Sequence, residues 1–301
     1  AELIQAYRDH VECGSLARKT KQKYRRVLND VEQMTKACPA QAIDFRFMDR
    51  YRAKRLKTVK ESTVCDEVVI IQQMMKFGVQ RKLIASNPLA GYKLKEPKAP
   101  RQPCWTHEQG EQIVSEAPVG VYGVAFRVLL NTGMRSGELT HLQWRDVDFE
   151  NNVIHIREKT WKYGDEVRSW RPKTGDQRAV PMSEDVVTAL NSLPRKSDWV
   201  FLAPASWKYQ DGQHRLTTSR LLKAVKRVLK RLSLEGHVHT FRHTFISHAL
   251  TSGIPEATVR SWVGHVDDKI IRRYTHIADR VSQQHMKELT QKRAKNSDRN
   301  C

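Results

Sequence analysis

Two histidines, an arginine and a tyrosine fall within 36 residues, in His239-Thr240-Phe241-Arg242, Val263-Gly264-His265 and Arg273-Tyr274. The tyrosine follows the second histidine by nine residues. Upstream, Thr132-Gly133-Met134-Arg135-Ser136-Gly137-Glu138-Leu139 sets a second arginine beside a carboxylate. Two fixed cations, two imidazoles and one phenol are the groups a protein needs to attack a phosphodiester with its own side chain. Each group also has a plainer reading on its own. Arg135 and Glu138 fit a surface ion pair, Tyr274 a helix-face phenol, and His239 a core imidazole with its hydrogen bonds made.

Charge points to the partner. The chain has 53 Lys and Arg against 33 Asp and Glu, a net charge of +20. Residues 1–104 hold 22 basic and 11 acidic side chains, so both parts of the chain are basic. That pattern suits a polyanion gripped from two sides better than a basic tail on a neutral enzyme, and makes nucleic acid the expected ligand. The five cysteines, Cys13, Cys38, Cys65, Cys104 and Cys301, are scattered singly and form no CxxC pair, which argues against a disulfide framework and a zinc site. There is no P-loop, GxGxxG or HExxH, and no acidic cluster for two metals, so neither a cofactor nor a metal is expected. No run of about 18 apolar residues occurs, so no membrane partner is expected. Ala1-Glu2-Leu3 does not read as the start of a secretory signal.

The elements that must position these groups fall into two parts. Residues 1–92 read as a small helical DNA-binding domain. Leu3, Tyr7 and Val11 share one stripe; Thr20 is placed to cap a second helix carrying Tyr24, Val27, Leu28, Val31 and Met34. A third helix runs through Phe45, Met48, Tyr51 and Leu56, and Ser62 opens a fourth with Val64, Val68, Ile71 and Met75 inward. Other faces carry cations: Lys19, Lys23 and Arg26 form one row, Arg52 and Arg55 another, and Gln72 and Lys76 are placed to reach bases. A solvated face is an equal reading of any single row. Residues 93–104 form a basic, proline-rich linker that could thread beside a duplex.

Residues 105–282 mix helices with strands. Thr106 and Gln109 form a capping box, and an apolar helix from Val119 closes at Thr132-Gly133. Strand signals appear at Val153–Ile156 and Arg178–Pro181, which places Lys173 at the tip of a hairpin. Between them, Trp161, Tyr163 and Trp170 alternate with Lys162 and Arg168, suited to DNA contact or to a partly buried loop core. A helix after Thr217 turns Leu221, Leu222, Val225, Val228, Leu229 and Leu232 inward. The helix from His239 and that from Pro255 to Val263 follow. The tail, 283–301, is polar and has no core of its own. The fold class expected is mainly α with a small antiparallel β-sheet, an α+β architecture.

In order and spacing, Thr-Gly-Met-Arg135-Ser-Gly-Glu138-Leu, Lys173, His239-x-x-Arg242, Gly264-His265 and Tyr274-Thr-His-Ile resemble the tyrosine recombinases, the phage integrase family. The resemblance covers the whole chain as core-binding domain, linker and catalytic domain. It implies that Tyr274 attacks the scissile phosphorus and that Arg135 and Arg242 stabilise the transition state. It implies further that Lys173 protonates the leaving oxygen, that His239 acts on the tyrosine proton or the phosphate, that His265 donates to a phosphate oxygen, and that Glu138 orients its neighbours. Two duplex recombination sites held by a homotetramer through a Holliday junction are implied as partners. The tail is then a candidate exchange element between protomers, and accessory bending or directionality proteins are further partners. A mobile-element integrase and a chromosome- or plasmid-dimer resolving enzyme both fit; a type IB topoisomerase and a silent DNA-binding regulator are the rival readings. Two features depart from the family pattern: the long aromatic segment 157–172, which leaves the register of Lys173 open with Lys162 and Arg171 nearby, and a start directly at the core-binding domain.

Overall fold

The computed structural model describes residues 2–35, 39–95, 97, 103–173, 175, 177–204 and 214–266. The chain divides into two compact units, Ala1–Pro100 and Arg101–Cys301. It is mostly helical with small antiparallel sheets.

The first unit is built from α1 (Glu2–Cys13), α2 (Arg18–Thr35), α3 (Phe45–Leu56) and α4 (Glu61–Gln80). Leu3, Tyr7, Val11, Val27, Leu28, Val31, Phe47, Met48, Tyr51, Val64, Val68, Ile71 and Met75 make one buried cluster, as the helical spacing requires. Thr20 does not cap α2. The amide of Lys21 already bonds the carbonyl of Ala17, so Thr20 sits inside the first turn. At α3 the cap is Asp44, whose carboxylate accepts from the amide of Phe47 at 2.8 Å.

The second unit packs helices around a three-stranded sheet of order β1-β2-β5, with a separate hairpin β3-β4. Its elements are α5 (His107–Ser115), α6 (Val121–Thr132), α7 (Ser136–Leu139), β1 (Val147–Asp148), β2 (Val153–Ile156), β3 (Lys159–Tyr163), β4 (Glu166–Trp170), β5 (Arg178–Pro181), α8 (Glu184–Asn191), α9 (Thr218–Arg231), α10 (Val238–Thr251) and α11 (Glu256–Val263). The capping box of Thr106 and Gln109 is formed. Just before it, Trp105 is buried; its amide bonds Thr244 Oγ1, its indole N–H bonds the carbonyl of Glu235, and its ring meets Phe241 edge-on at 4.9 Å. On α9 the inward face holds except at Leu222, which is exposed, because its position on the helix faces away from the core occupied by Leu221 and Val225. Among the described residues no helix is long and apolar enough to cross a membrane.

The β2–β5 pairing, Val153 opposite Pro181 and Ile156 opposite Arg178, leaves 157–177 as its connection. This connection is not a simple hairpin loop. It folds back on itself as β3 and β4, with Tyr163 opposite Glu166, so the tip lies at Gly164-Asp165. Lys173 instead occupies a later turn, in which the amide of Gly175 bonds the carbonyl of Pro172 at 2.9 Å.

Candidate active site

The site forms where three chain segments meet the C-terminal end of α11. Gly133 ends α6 in the left-handed conformation, φ 61°. A Cβ there would also fall 2.5 Å from Cδ1 of Phe245, so only glycine allows α6 to end against α10. The turn sends Arg135 to the N-terminus of α7, while Arg242 lies on the buried side of α10.

Both guanidinium groups are then fixed by main-chain carbonyls. Arg242 Nη1 donates to the carbonyls of Gly133 (3.0 Å) and Val263 (2.7 Å), and its Nη2 to that of His265 (3.2 Å). Arg135 Nη2 donates to the same His265 carbonyl at 2.8 Å. The last carbonyls of a helix have no partner within the helix and carry the negative end of its dipole, so cations gather there. Burial and then the charge of Arg135 push the pKa of Arg242 down to about 9, against the pull of Glu138.

Glu138 is 1% exposed and holds two arginines. Its Oε1 accepts from Arg135 Nη1 (3.0 Å) and Arg178 Nη1 (3.0 Å); its Oε2 accepts from the amide of Arg135 (2.8 Å) and Arg178 Nη2 (2.6 Å). Burial alone would raise its pKa, but the bonds and charge of Arg178, then those of Arg135, outweigh it and hold the carboxylate below its usual range. Arg135 and Glu138 are therefore no surface ion pair.

His239 opens α10 beside His237, with ring centroids 6.0 Å apart. It keeps solvent access, yet desolvation and the positive groups around it, His237, Arg242, Arg135 and Lys173, lower its pKa. Lys173 is exposed and close enough to act on His239 electrostatically. Of the other cations of that connection, Lys159 is buried on Asp146 at 3.1 Å and Arg171 pairs with Glu158 at 2.8 Å, while Lys162 is exposed on β3. His265 is exposed, directly after Gly264 (φ 74°). Tyr274 and the tail 283–301 lie outside the described residues.

Arg178 is the residue of this cluster that sequence reasoning misses. In the sequence it reads only as the start of a strand, yet it shares a strand face with buried Val180, and an arginine on an inward face signals a buried acid to meet. The aromatic segment is legible in type and not in form. Trp170 stacks on His141, Trp161 meets Trp199 edge-on at 5.2 Å, and Arg168 covers Tyr163 at 4.0 Å.

In the first unit the expected cation rows need correction. Glu67 is fully buried and accepts from Arg26 (2.6 Å), from both Arg55 Nε and Nη2 (2.8 Å each) and from Tyr51 (3.0 Å). Arg55 thus serves an internal acid, since a buried carboxylate draws its counter-ions from the nearest helices. The side-chain Nε2 of Gln72 donates to the carbonyl of Tyr92 at 2.7 Å, and so is not aimed at a base. Lys23 pairs with Asp66 and Arg52 with Asp49, at 2.7 and 3.7 Å. Lys19 and Lys76 are exposed and make no ion pair among the described residues.

Residues 105–280 match the family model described as the phage integrase family. The chain belongs to that family. Among curated relatives of this phage integrase member, it is 27% identical over 170 residues to the tyrosine recombinase XerA of Saccharolobus solfataricus, covering 56% of this chain and 50% of that protein. It is 26% identical over 234 residues to XerC of Chlamydia trachomatis, covering 74% and 69%. The chain therefore spans about half the length of the first and about two thirds of the second. In fold it is similar to the Tn1549 transposon integrase in complex with a circular intermediate DNA (TM-score 0.77, 20% identity, 94% of this chain and 99% of that one). It is also similar to a lambda integrase dimer bound to a core site (TM-score 0.71, 14% identity, 89% and 95%).

Proposed function

We propose that this chain is a site-specific DNA recombinase that cuts and rejoins DNA through a 3′-phosphotyrosyl intermediate. The observation that carries the reading is the convergence of Arg135 and Arg242, from separate segments, on the one carbonyl of His265 at 2.8 and 3.2 Å, with His239 and Lys173 beside them. Two guanidinium groups fixed at one point, with a single buried acid behind them, suit the non-bridging oxygens of a phosphodiester as charge builds on them.

Tyr274 attacks the scissile phosphorus and releases a 5′-hydroxyl. Lys173 gives that leaving oxygen its proton, and His239, held neutral, accepts the tyrosine proton or bonds the phosphate. His265 donates to a phosphate oxygen, and Glu138 orients Arg135. The phosphotyrosyl bond conserves the energy of the phosphodiester, so rejoining requires no ATP, and the chemistry assigned to these residues needs no metal. The working unit is a homotetramer on two duplex sites, exchanging strands through a Holliday junction. Residues 1–92 bind the core site, 93–104 link, 105–282 catalyse, and 283–301 dock on a neighbouring protomer. Deleting 283–301 should weaken tetramer assembly on DNA more than monomer binding.

The likeness to transposon and phage integrases over most of the chain supports a mobile-element role, with accessory bending or directionality proteins as further partners. The relation to XerA and XerC keeps dimer resolution as the second reading. On either reading the protein acts in the cytoplasm, with the nucleoid. The test uses DNA that flanks the gene, nicked near candidate cleavage points so that the 5′-hydroxyl segment diffuses away. A protein–DNA adduct that requires both Tyr274 and one particular sequence is expected. An adduct on any DNA would indicate a topoisomerase, and tight specific binding without an adduct would indicate a silent regulator.

A further inference from the structure

Three arginines, not two, converge on the carbonyls at and just past the end of α11. Arg242 takes the carbonyl of Val263, and Arg135 and Arg242 share that of His265, while Arg178 Nε donates to the carbonyl of Trp262 at 2.7 Å. With the same guanidinium, Arg178 makes its two bonds to Glu138 at 3.0 and 2.6 Å. Its side chain is 6% exposed, so it is closed to DNA. It also walls the turn that carries His265: a Cβ at Gly264 would sit 3.4 Å from Arg178 Cδ and Nη1.

We infer that Arg178 is a positioning residue for strand cleavage, locking Arg135 and the His265 turn into one rigid unit. The geometry leaves little else for it to do. Among the described residues, its side-chain hydrogen bonds go to two groups: the carboxylate that orients Arg135, and the backbone from which His265 and the chain towards Tyr274 depart. It stands on β5, five residues after Lys173, so one side chain ties together the segments bearing Arg135, Lys173 and His265. A lone carboxylate between Arg135 and solvent would hold neither the direction of Arg135 nor the exit of the chain from α11. With Arg178 clamped across both, a displacement of either is felt by the other.

This inference rests on the recombinase reading above. The experiment measures single-turnover adduct formation on nicked DNA, with DNA affinity and thermal midpoint recorded beside it. Arg178→Gln should form the adduct about 100-fold more slowly, the scale of a misplaced reacting group, with the dissociation constant for DNA within about twofold of wild type. Arg178→Lys, which keeps a cation against Glu138 and loses the Trp262 bond, should fall between. In a Glu138→Gln background, the further loss caused by Arg178→Gln should shrink several-fold, because the partner it acts through is altered. A purely structural role would instead lower affinity and folded fraction along with cleavage, and Arg178→Lys would then track its thermal midpoint. Should Arg178→Gln not fold, Arg178→Lys decides: cleavage at the wild-type rate overturns the inference. A wild-type protein with no Tyr274-dependent adduct overturns both this inference and the reading beneath it.

Discussion

The imidazole of His141 lies flat on the indole of Trp170, 4.8 Å between centroids and 12° from parallel. The contact pins the end of β4 to the segment after α7, three residues before Lys173. His141 Nδ1 also bonds the carbonyl of Gly137 at 2.7 Å, and Lys159 Nζ lies over the Trp170 ring, 5.5 Å from its centroid. Burial, then the charge of Arg215, pushes the pKa of His141 down to about 3. The unfolded chain binds this proton at an ordinary histidine pKa and the folded one does not. Stability is therefore unaffected above pH ~6.5 and falls below it, by up to about 1.4 kcal/mol per pH unit. His141→Phe, which keeps the stack and cannot titrate, should flatten the decline in urea midpoint between pH 6.5 and 4.5. Parallel slopes for the two proteins would refute the assignment.

Glu138→Gln should destabilise the second unit by about 3–5 kcal/mol, because it leaves Arg135, Arg178 and Arg242 crowded without their buried counter-charge. The folded pKa of Glu138 is depressed, so its contribution is present above its unfolded value and is lost as pH falls through the folded one. Urea unfolding should show a constant gap between the variant and the wild type above about pH 4.5, the ordinary glutamate value, and a narrowing gap as the pH falls below it.

Gly133→Ala meets two obstacles, the left-handed φ of 61° and the ring of Phe245. A loss of at least about 2 kcal/mol is expected from strain and overpacking together. Cleavage should fall as well, since the Gly133 carbonyl is one of the three that fix Arg242. Normal stability in this variant would mean that α6 and α10 can separate at no cost.

In the helical unit two classes of basic residue should separate by experiment. Lys76→Ala should reduce the salt dependence of DNA binding by about 0.9 in the log–log slope, one phosphate contact. Arg55→Ala should leave that slope unchanged and lower the melting temperature, because Glu67 loses its bidentate partner. An unchanged melting temperature with a shallower slope would restore Arg55 to the DNA-facing set.

Lowered by desolvation and four positive neighbours, His239 stays neutral through neutral pH. The cleavage rate should hold level from pH 8 down to about 6.5, the ordinary histidine value, and decline only below it. His239→Gln should be slower and should lose that acid limb; an acid limb of the same midpoint in His239→Gln would assign it to another group.

Much of the fold is legible in the order of residues alone. Period-three-and-four spacing places all four helices of the first unit, and Thr106 with Gln109 marks the start of α5, because local hydrogen bonds and apolar stripes are written in adjacent residues. The strands at Val153 and Arg178 follow for the same reason. What stays hidden is non-local. The β3–β4 hairpin depends on tryptophans meeting His141 and Trp199, which lie far off in sequence. Arg55 looks like a DNA-facing cation because spacing cannot show that Glu67, twelve residues on, is buried beside it. Arg178 escapes notice because its partners are a carboxylate 40 residues earlier and a carbonyl 84 residues later.

Trp105 has a mechanical consequence. Its amide is tied to Thr244, its carbonyl to His248 at 3.0 Å, and its ring to Phe241, and all three partners stand on α10. Tension applied to the chain at Cys104 is thus delivered, with little slack, to the helix that bears His239 and Arg242. The residue is a lever arm: whatever draws on the upstream chain pulls on the two groups proposed to meet the phosphate.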